Sequence, residues 1–184
     1  MLRSLRRRAE FQRKAGEIYG AIVTQSRQPA FYARLGIPDT PTGRYEMVVI
    51  HLFLVLERLR GAGASPEAEA AAQALVDAFV ADMDDSLREL GTGDVGVPRR
   101  VKRAAAGFYA RAKDYREAIA AGGSALEGTL ARHLDAPEGE AATLSALAGY
   151  VRAATMTLGA EPVADVIEGR LFFPDPSVAV KSAP

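Results

Sequence analysis

Three groups of residues in this sequence are of types that carry chemistry in proteins. The stretch GTGDVG at residues 91–96 has the G-x-G-x-x-G spacing of loops that approach a dinucleotide pyrophosphate. The acidic run DMDD at residues 82–85 offers carboxylate oxygens, which are the preferred ligands of Ca²⁺. The two histidines, His51 and His133, are the candidates for ligating haem iron or transferring a proton. Each of these chemistries also requires a particular sequence context.

The glycine stretch lacks the context of a dinucleotide-binding loop. Such a loop follows a buried strand, begins a helix and precedes an acidic residue on a second strand by about 20 positions. Here the preceding segment, DAFVADMDDSLREL, has helical periodicity and several carboxylates that a central parallel strand would exclude. We therefore predict that residues 91–96 form a turn, with Gly91 ending one helix and Val97 and Pro98 leading into the next.

The acidic run and the histidines lack the partners that their chemistry needs. An EF-hand loop beginning at Asp82 would have glycine sixth and glutamate twelfth, where this chain has Leu87 and Gly93. Neither histidine follows a glutamate by three residues, as a di-iron bundle requires. The chain has no cysteine for thiolate chemistry and no G-x-S-x-G elbow. We predict a non-enzymatic protein without metal or cofactor, in which His51 is a hydrogen-bonded core or interface residue.

The densest local charge is a basic patch at the start of a predicted helix. It consists of Arg99, Arg100, Lys102 and Arg103. Cations at the N-terminal end of a helix oppose its dipole, so this placement lowers local stability. Three explanations stay open: pairing with the acidic flank of the preceding helix, binding of an anionic partner such as RNA or a lipid head group, and simple solvation. The whole chain has 23 basic and 23 acidic side chains, so we expect no DNA partner.

The elements that position these residues are predicted to be helices. Apolar residues recur at intervals of three and four in most segments, and no run of alternating β-branched residues is long enough for a strand. Ser65 and Pro66 are typical of a helix N-cap and first position, while Gly122 and Gly123 end the helix that Pro98 opens. We predict an all-α fold, a single compact domain of six to seven helices.

One predicted helix, from Tyr45 to Arg60, is apolar on all sides through its middle. Its core, MVVIHLFLVL at residues 47–56, is about half as long as a bilayer-spanning helix. Such a helix is either enclosed by other helices or leaves one apolar face open to a partner. The residues that would line such an open face are Tyr45, Val48, Val49, His51, Leu52, Phe53, Val55 and Leu56.

The first 18 residues form a basic segment, interpreted as the start of the first helix. Six arginines and lysines precede residue 15, with Glu10 as the single acid among them. No apolar stretch of signal-peptide length follows, so we do not predict a secretory signal. A mitochondrial presequence, a membrane-surface helix and a solvated first turn remain open.

Three blocks of sequence carry a family resemblance. They are residues 19–59, beginning YGAIVTQSRQPAFYARLGIPDTPTGRYE, residues 72–111, which include MDDSLRELGTGDVGVPRR, and GRLFFPDP at residues 169–176. The most specific positions are Met83, Asp84, Leu87 to Gly91, Gly93, Asp94, Val97, Pro98, Phe108 and Tyr109. Together these blocks resemble the ubiquinol-cytochrome c chaperone family over residues 19–176, which leaves residues 177–184 as a tail.

The resemblance implies a non-enzymatic assembly factor for the cytochrome bc1 complex, respiratory complex III. Mitochondrial members of the family act on newly made cytochrome b near the ribosomal tunnel exit, together with a small partner protein. Because the chain is compact and without a long extension, we expect a bacterial member in the cytoplasm or at the cytoplasmic membrane, or on the matrix side if eukaryotic. Cytochrome b is the expected client, and the ribosome, a small partner and the inner membrane surface are further candidates.

Two surfaces would serve such a role. The apolar residues between Tyr45 and Leu56 are the candidate client groove, and the basic patch from Arg99 to Arg103 is the candidate contact with ribosomal RNA or a membrane surface. The alternative is a helical protein that binds haem through His51, or one that binds RNA through the basic patch.

Overall fold

The computed structural model describes residues 2–61, 63, 65–89, 97–134 and 141–179, and within these it describes no side chains for residues 2–8, 86–89, 97–101 and 178–179. The predicted turn residues Gly91, Gly93 and Asp94 lie outside the described residues, and Pro98 lies in the first turn of a helix. Six described helices have ten or more residues and three are shorter, in agreement with the all-α prediction. They are α1 Leu2–Ser26, α2 Pro29–Ala33, α3 Pro41–Gly61, α4 Pro66–Glu89, α5 Val97–Ala121, α6 Ala125–Leu134, α7 Ala141–Ala160, α8 Val163–Ile167 and α9 Pro176–Ala179.

Helix α3 is the central element of the fold. It contacts α1, α4, α5, α6, α7 and α8, so other helices surround it on every side. All eleven side chains from Glu46 to Leu56 are buried, and eleven consecutive residues point in every direction around a helix. The remaining long helices each leave some residues exposed, whereas the middle of α3 has no exposed side, which explains why it is apolar all round.

The start of α3 differs from the prediction, which began this helix at Tyr45. The helix begins at Pro41, because the Thr40 hydroxyl accepts a hydrogen bond from the Gly43 N–H at 3.1 Å and caps the first turn. A Cβ atom on Gly43 would lie 2.1 Å from the Pro38 carbonyl oxygen. The loop therefore packs directly on this turn, and glycine at position 43 is a steric requirement.

The other helix ends follow local signals more closely. The Ser65 hydroxyl accepts a hydrogen bond from the Ala68 N–H at 3.1 Å, which confirms the predicted N-cap of α4. Helix α5 ends before Gly122, whose φ of +69° favours glycine, as predicted. Helix α2 was not predicted; it has five residues, too few for a periodic pattern, and it is held by the buried ring of Phe31.

Candidate functional site

The structure encloses the predicted client groove on α3. Of its eight residues, seven are buried, and Tyr45 is partly buried against the core. The enclosed arrangement is therefore the one observed, and the expectation that these residues line an open apolar face is wrong for this structure. The physical reason is that six other helices contact α3. Phe53 alone among the eight also contributes to an open groove, described below.

His51 lies at the centre of a buried hydrogen-bonded cluster. Its Nδ1 is 2.7 Å from the Met47 carbonyl oxygen and its Nε2 is 2.8 Å from the Tyr150 hydroxyl. Because a carbonyl oxygen can only accept, Nδ1 carries the hydrogen and Nε2 accepts one from Tyr150. The Gln25 side-chain amide donates to the Tyr150 oxygen at 3.1 Å. The cluster thus links α1, α3 and α7.

Burial also fixes the charge state of this histidine. Removal from water lowers the pKa of His51 to about 4, so the ring is neutral at pH 7. The rings of Phe31 and Phe173 stand edge-on to the imidazole, with centroid distances of 5.4 and 5.2 Å. Both ring nitrogens are engaged, so haem ligation by His51 would require one of these hydrogen bonds to break. The observed contacts match the predicted hydrogen-bonded core residue.

A second buried polar cluster joins α3 to α5. The Glu46 carboxylate is fully buried; it accepts a hydrogen bond from Arg111 Nε at 2.7 Å and another from the Tyr115 hydroxyl. Burial, and then the neighbouring Glu46 charge, raise the pKa of Tyr115 well above its usual value, so this phenol is a donor at neutral pH. The Arg111 guanidinium also lies 5.6 Å from the centroid of the Tyr45 ring. The burial of Glu46 was not predicted.

An apolar groove opens at the surface where α3, α5 and α7 meet. Its volume is about 380 Å³. Its apolar lining comes from the second half of α3 and the last turns of α5 and α7. These residues are Phe53, Leu54, Ile119, Ala120, Leu158 and Gly159. This groove was not predicted, because Ile119 and Leu158 have the spacing of ordinary core residues.

The charged residues that line the groove are paired within the chain. Arg116 makes two hydrogen bonds to the Glu57 carboxylate, at 2.8 Å from Nε and 2.6 Å from Nη2. Arg58 donates from Nε to the Glu161 carbonyl oxygen at 2.9 Å and so binds the C-terminal end of α7. Among the described lining residues, Glu57, Arg58 and Arg116 are the charged ones, and each has its own partner. The groove therefore offers an apolar surface edged by charged side chains that are already hydrogen-bonded within the chain.

The basic patch is described in part. Lys102 and Arg103 are exposed on the first turns of α5, whereas the side chains of Arg99 and Arg100 lie outside those described. The three explanations for the patch remain predictions. In the acidic run, Asp82 accepts a hydrogen bond from the Tyr19 hydroxyl at 2.8 Å. Within the described part of the chain, no group of three or more His, Asp or Glu side chains is arranged to hold a metal ion.

Comparison with known proteins assigns the family. The model of the ubiquinol-cytochrome C chaperones matches residues 33–173. The chain belongs to the ubiquinol-cytochrome C chaperone family. Its structure is similar to the crystal structure of the Cbp3 homolog from Brucella abortus, with 36% sequence identity, a TM-score of 0.82, and coverage of 96% of this chain and 97% of that one. A search of curated proteins finds no match. Among the described helices of this family member, none is long and apolar enough to span a bilayer.

Proposed function

We propose that this protein is a non-enzymatic assembly chaperone for respiratory complex III and that its client is newly made cytochrome b. The family match over residues 33–173 is the observation that carries the proposal, since it covers most of the 184-residue chain. The similarity to the Cbp3 homolog extends over nearly the whole of both chains and supports the same assignment. The choice of cytochrome b as client rests on the family resemblance.

The placement of the titratable groups supports a role without catalysis. His51 and Glu46 are fully buried, and both ring nitrogens of His51 and both carboxylate oxygens of Glu46 are hydrogen-bonded within the chain. A general acid or base must reach its substrate, and these groups do not reach solvent. The surface feature with binding character is instead the apolar groove, which suits a protein client.

Capture of the client from cells tests the proposal. The tagged protein is recovered from cells that make complex III, shortly after a pulse of labelled amino acids, and the labelled membrane proteins are identified. We expect cytochrome b to be the main labelled membrane protein, and we expect loss of the chaperone gene to lower complex III while other respiratory complexes stay constant. Recovery without cytochrome b, or a normal complex III level after gene loss, would refute the proposal.

The basic patch is proposed as the contact with the ribosome or with the membrane surface at which cytochrome b is inserted. Lys102 and Arg103 are exposed, and patches of this kind bind polyanions in a salt-dependent manner. Changing Arg99, Arg100, Lys102 and Arg103 together to Glu should abolish co-sedimentation with ribosomes or with anionic vesicles at low salt. Unchanged co-sedimentation of the fourfold variant would exclude the patch as the contact. A small partner protein, if the chain has one, would be recovered in the same cell capture.

Haem binding through His51 has less support, because both ring nitrogens are engaged and the ring is buried. Titration of the purified protein with haem separates the two roles. A saturable Soret shift that His51→Ala abolishes would favour haem binding over a pure chaperone role. We expect no shift that depends on His51.

A further inference from the structure

The apolar groove between α3, α5 and α7 continues onto an uncharged surface of α7. Within α7, all of which the structure describes, the single charged residue is Arg152, and it pairs with Glu127 on α6 at 3.0 Å. The exposed positions of this helix are Ala, Gly and Ser residues and Met156, whose exposed fraction is 77%. Met156 lies one turn from Gly159, which lines the groove, so the two apolar surfaces adjoin.

We propose that the groove and the adjoining face of α7 bind an uncharged apolar helix of a partner protein. The inference rests on the proposed function, in which the partner is a membrane protein client, and it identifies the part of the client that is held. Bulky side chains of the bound helix would enter the groove against Phe53, Ile119 and Leu158.

The charges around the groove favour an uncharged partner. Glu57 and Arg116 neutralise each other, and Arg58 is held by the Glu161 carbonyl oxygen. A charged side chain entering the groove would lose its hydration and would have to compete with these existing contacts for a counter-charge among the described lining residues. An apolar side chain loses no such interaction and removes apolar surface from water, so the groove discriminates in its favour.

The shape favours a helix over a small apolar molecule. A small molecule in a cavity of about 380 Å³ would leave the adjoining face of α7 in water. Helix α7 has 20 residues and is about 30 Å long, so a helix lying along it would cover both surfaces. Gly159 and Ala120 in the groove wall have little or no side chain, which lets a second helix backbone approach closely.

A single substitution can fill the groove without disturbing the core. No described atom lies within 4 Å of a Cβ placed on Gly159, and leucine is a better helix former than glycine. Gly159→Leu should therefore fold and occupy the space that the bound side chains need. Gly20→Leu is the matched control, because Gly20 is exposed on α1, has no described atom within 4 Å of its Cβ, and neither lines the groove nor belongs to α7.

The probe is a fluorescent synthetic peptide with a central helix of alternating leucine and alanine pairs, flanked by two lysines at each end. Its binding to purified full-length protein is measured by anisotropy. We expect equal affinity for the wild type and Gly20→Leu, and at least tenfold weaker binding for Gly159→Leu. A peptide with two central glutamates should also bind at least tenfold more weakly. Equal binding by both leucine variants, or equal binding of both peptides, would overturn the proposal.

A second variant keeps the test decisive if Gly159→Leu does not fold by circular dichroism. Ala120 also lines the groove and is exposed on α5, so Ala120→Leu should weaken peptide binding at least tenfold, whereas Ala110→Leu on the exposed side of α5 should not. Equal peptide affinities for this pair would likewise overturn the proposal. Tight binding of a free fatty acid that Gly159→Leu abolishes, in a protein that binds no peptide, would point to a small apolar ligand and would overturn the proposal of a bound helix.

The failures of the two proposals are distinguishable. If the wild type captures cytochrome b from cells and Gly159→Leu captures it equally well, the groove is not the client site and the proposed function stands. If the wild type binds the peptide in a groove-dependent manner but captures no cytochrome b, the groove proposal stands and the choice of client is wrong.

Discussion

Removal of the Arg111 guanidinium should destabilise the fold strongly, because it leaves a charged carboxylate in the core. Glu46 is fully buried, and its two strong partners are Arg111 at 2.7 Å and the Tyr115 hydroxyl. Breaking a buried ion pair from one side lowers the free energy of unfolding by about 3–5 kcal/mol. Since the Arg111 side chain is 26% exposed, water can enter when it is truncated, which favours the lower end. We expect a loss of about 3 kcal/mol for Arg111→Met.

The matched control lies one and a half turns further along the same helix. Arg116 also pairs with a glutamate, Glu57, but its side chain is 48% exposed, so Arg116→Met should lower the free energy of unfolding by less than about 1 kcal/mol. Urea unfolding followed by circular dichroism measures both changes. For a chain of this size a loss of about 3 kcal/mol also lowers Tm by about 6–12 °C.

A double variant separates the lost ion pair from lost packing. Glu46→Gln removes the charge while keeping an acceptor for Tyr115, so adding it to Arg111→Met should restore about 2 kcal/mol of the loss. If Arg111→Met lowers stability by no more than Arg116→Met, or if the double variant is no more stable than Arg111→Met alone, the buried carboxylate does not require its arginine.

Two further predictions concern residues of α3. The pKa of His51 is about 4 in the folded state against about 6.5 when unfolded, so unfolding takes up a proton between these values. This histidine should therefore lower the free energy of unfolding by about 3 kcal/mol from pH 7 to pH 4, and His51→Gln should remove this part of the pH dependence in urea unfolding. Gly43→Ala should lower the free energy of unfolding by more than about 2 kcal/mol, because its Cβ would lie 2.1 Å from the Pro38 carbonyl oxygen. Gly20→Ala, at an α1 position with no described atom within 4 Å, should instead raise it by about 0.5–1 kcal/mol in the same assay.

Helix boundaries were predictable where a local side chain determines them. Ser65 caps α4 through a hydrogen bond to a residue three positions later, and Gly122 adopts a positive φ, and both effects depend on neighbouring residues alone. The start of α3 was missed although Thr40 caps it in the same way, because the density of proline and glycine around it resembled a loop. The predicted helix start therefore followed the proline and glycine content of this segment and not the capping residue Thr40.

The arrangement of the candidate site was not predictable, because it depends on contacts between distant parts of the chain. Glu46 lies next to Tyr45, the predicted start of the helix, whereas its partner Arg111 is 65 positions away, and that pairing is what permits its burial. An all-round apolar pattern on α3 fitted both an enclosed helix and an open face. The decision between them rests on the six helices that surround it.

The buried clusters and the groove should therefore respond differently to mutation. Substitutions at His51 or Glu46 remove hydrogen bonds between helices. Any loss of client capture in such variants should therefore follow the loss in free energy of unfolding. Capture should recover under stabilising conditions such as lower urea or added osmolyte. Gly159→Leu adds a good helix former in open space, so its unfolding free energy should equal or exceed that of the wild type. If Gly159→Leu binds the partner more weakly and is no less stable than the wild type, the weaker binding results from the filled groove. Measuring stability and binding on the same variants thus separates residues that maintain the fold from those that contact the partner.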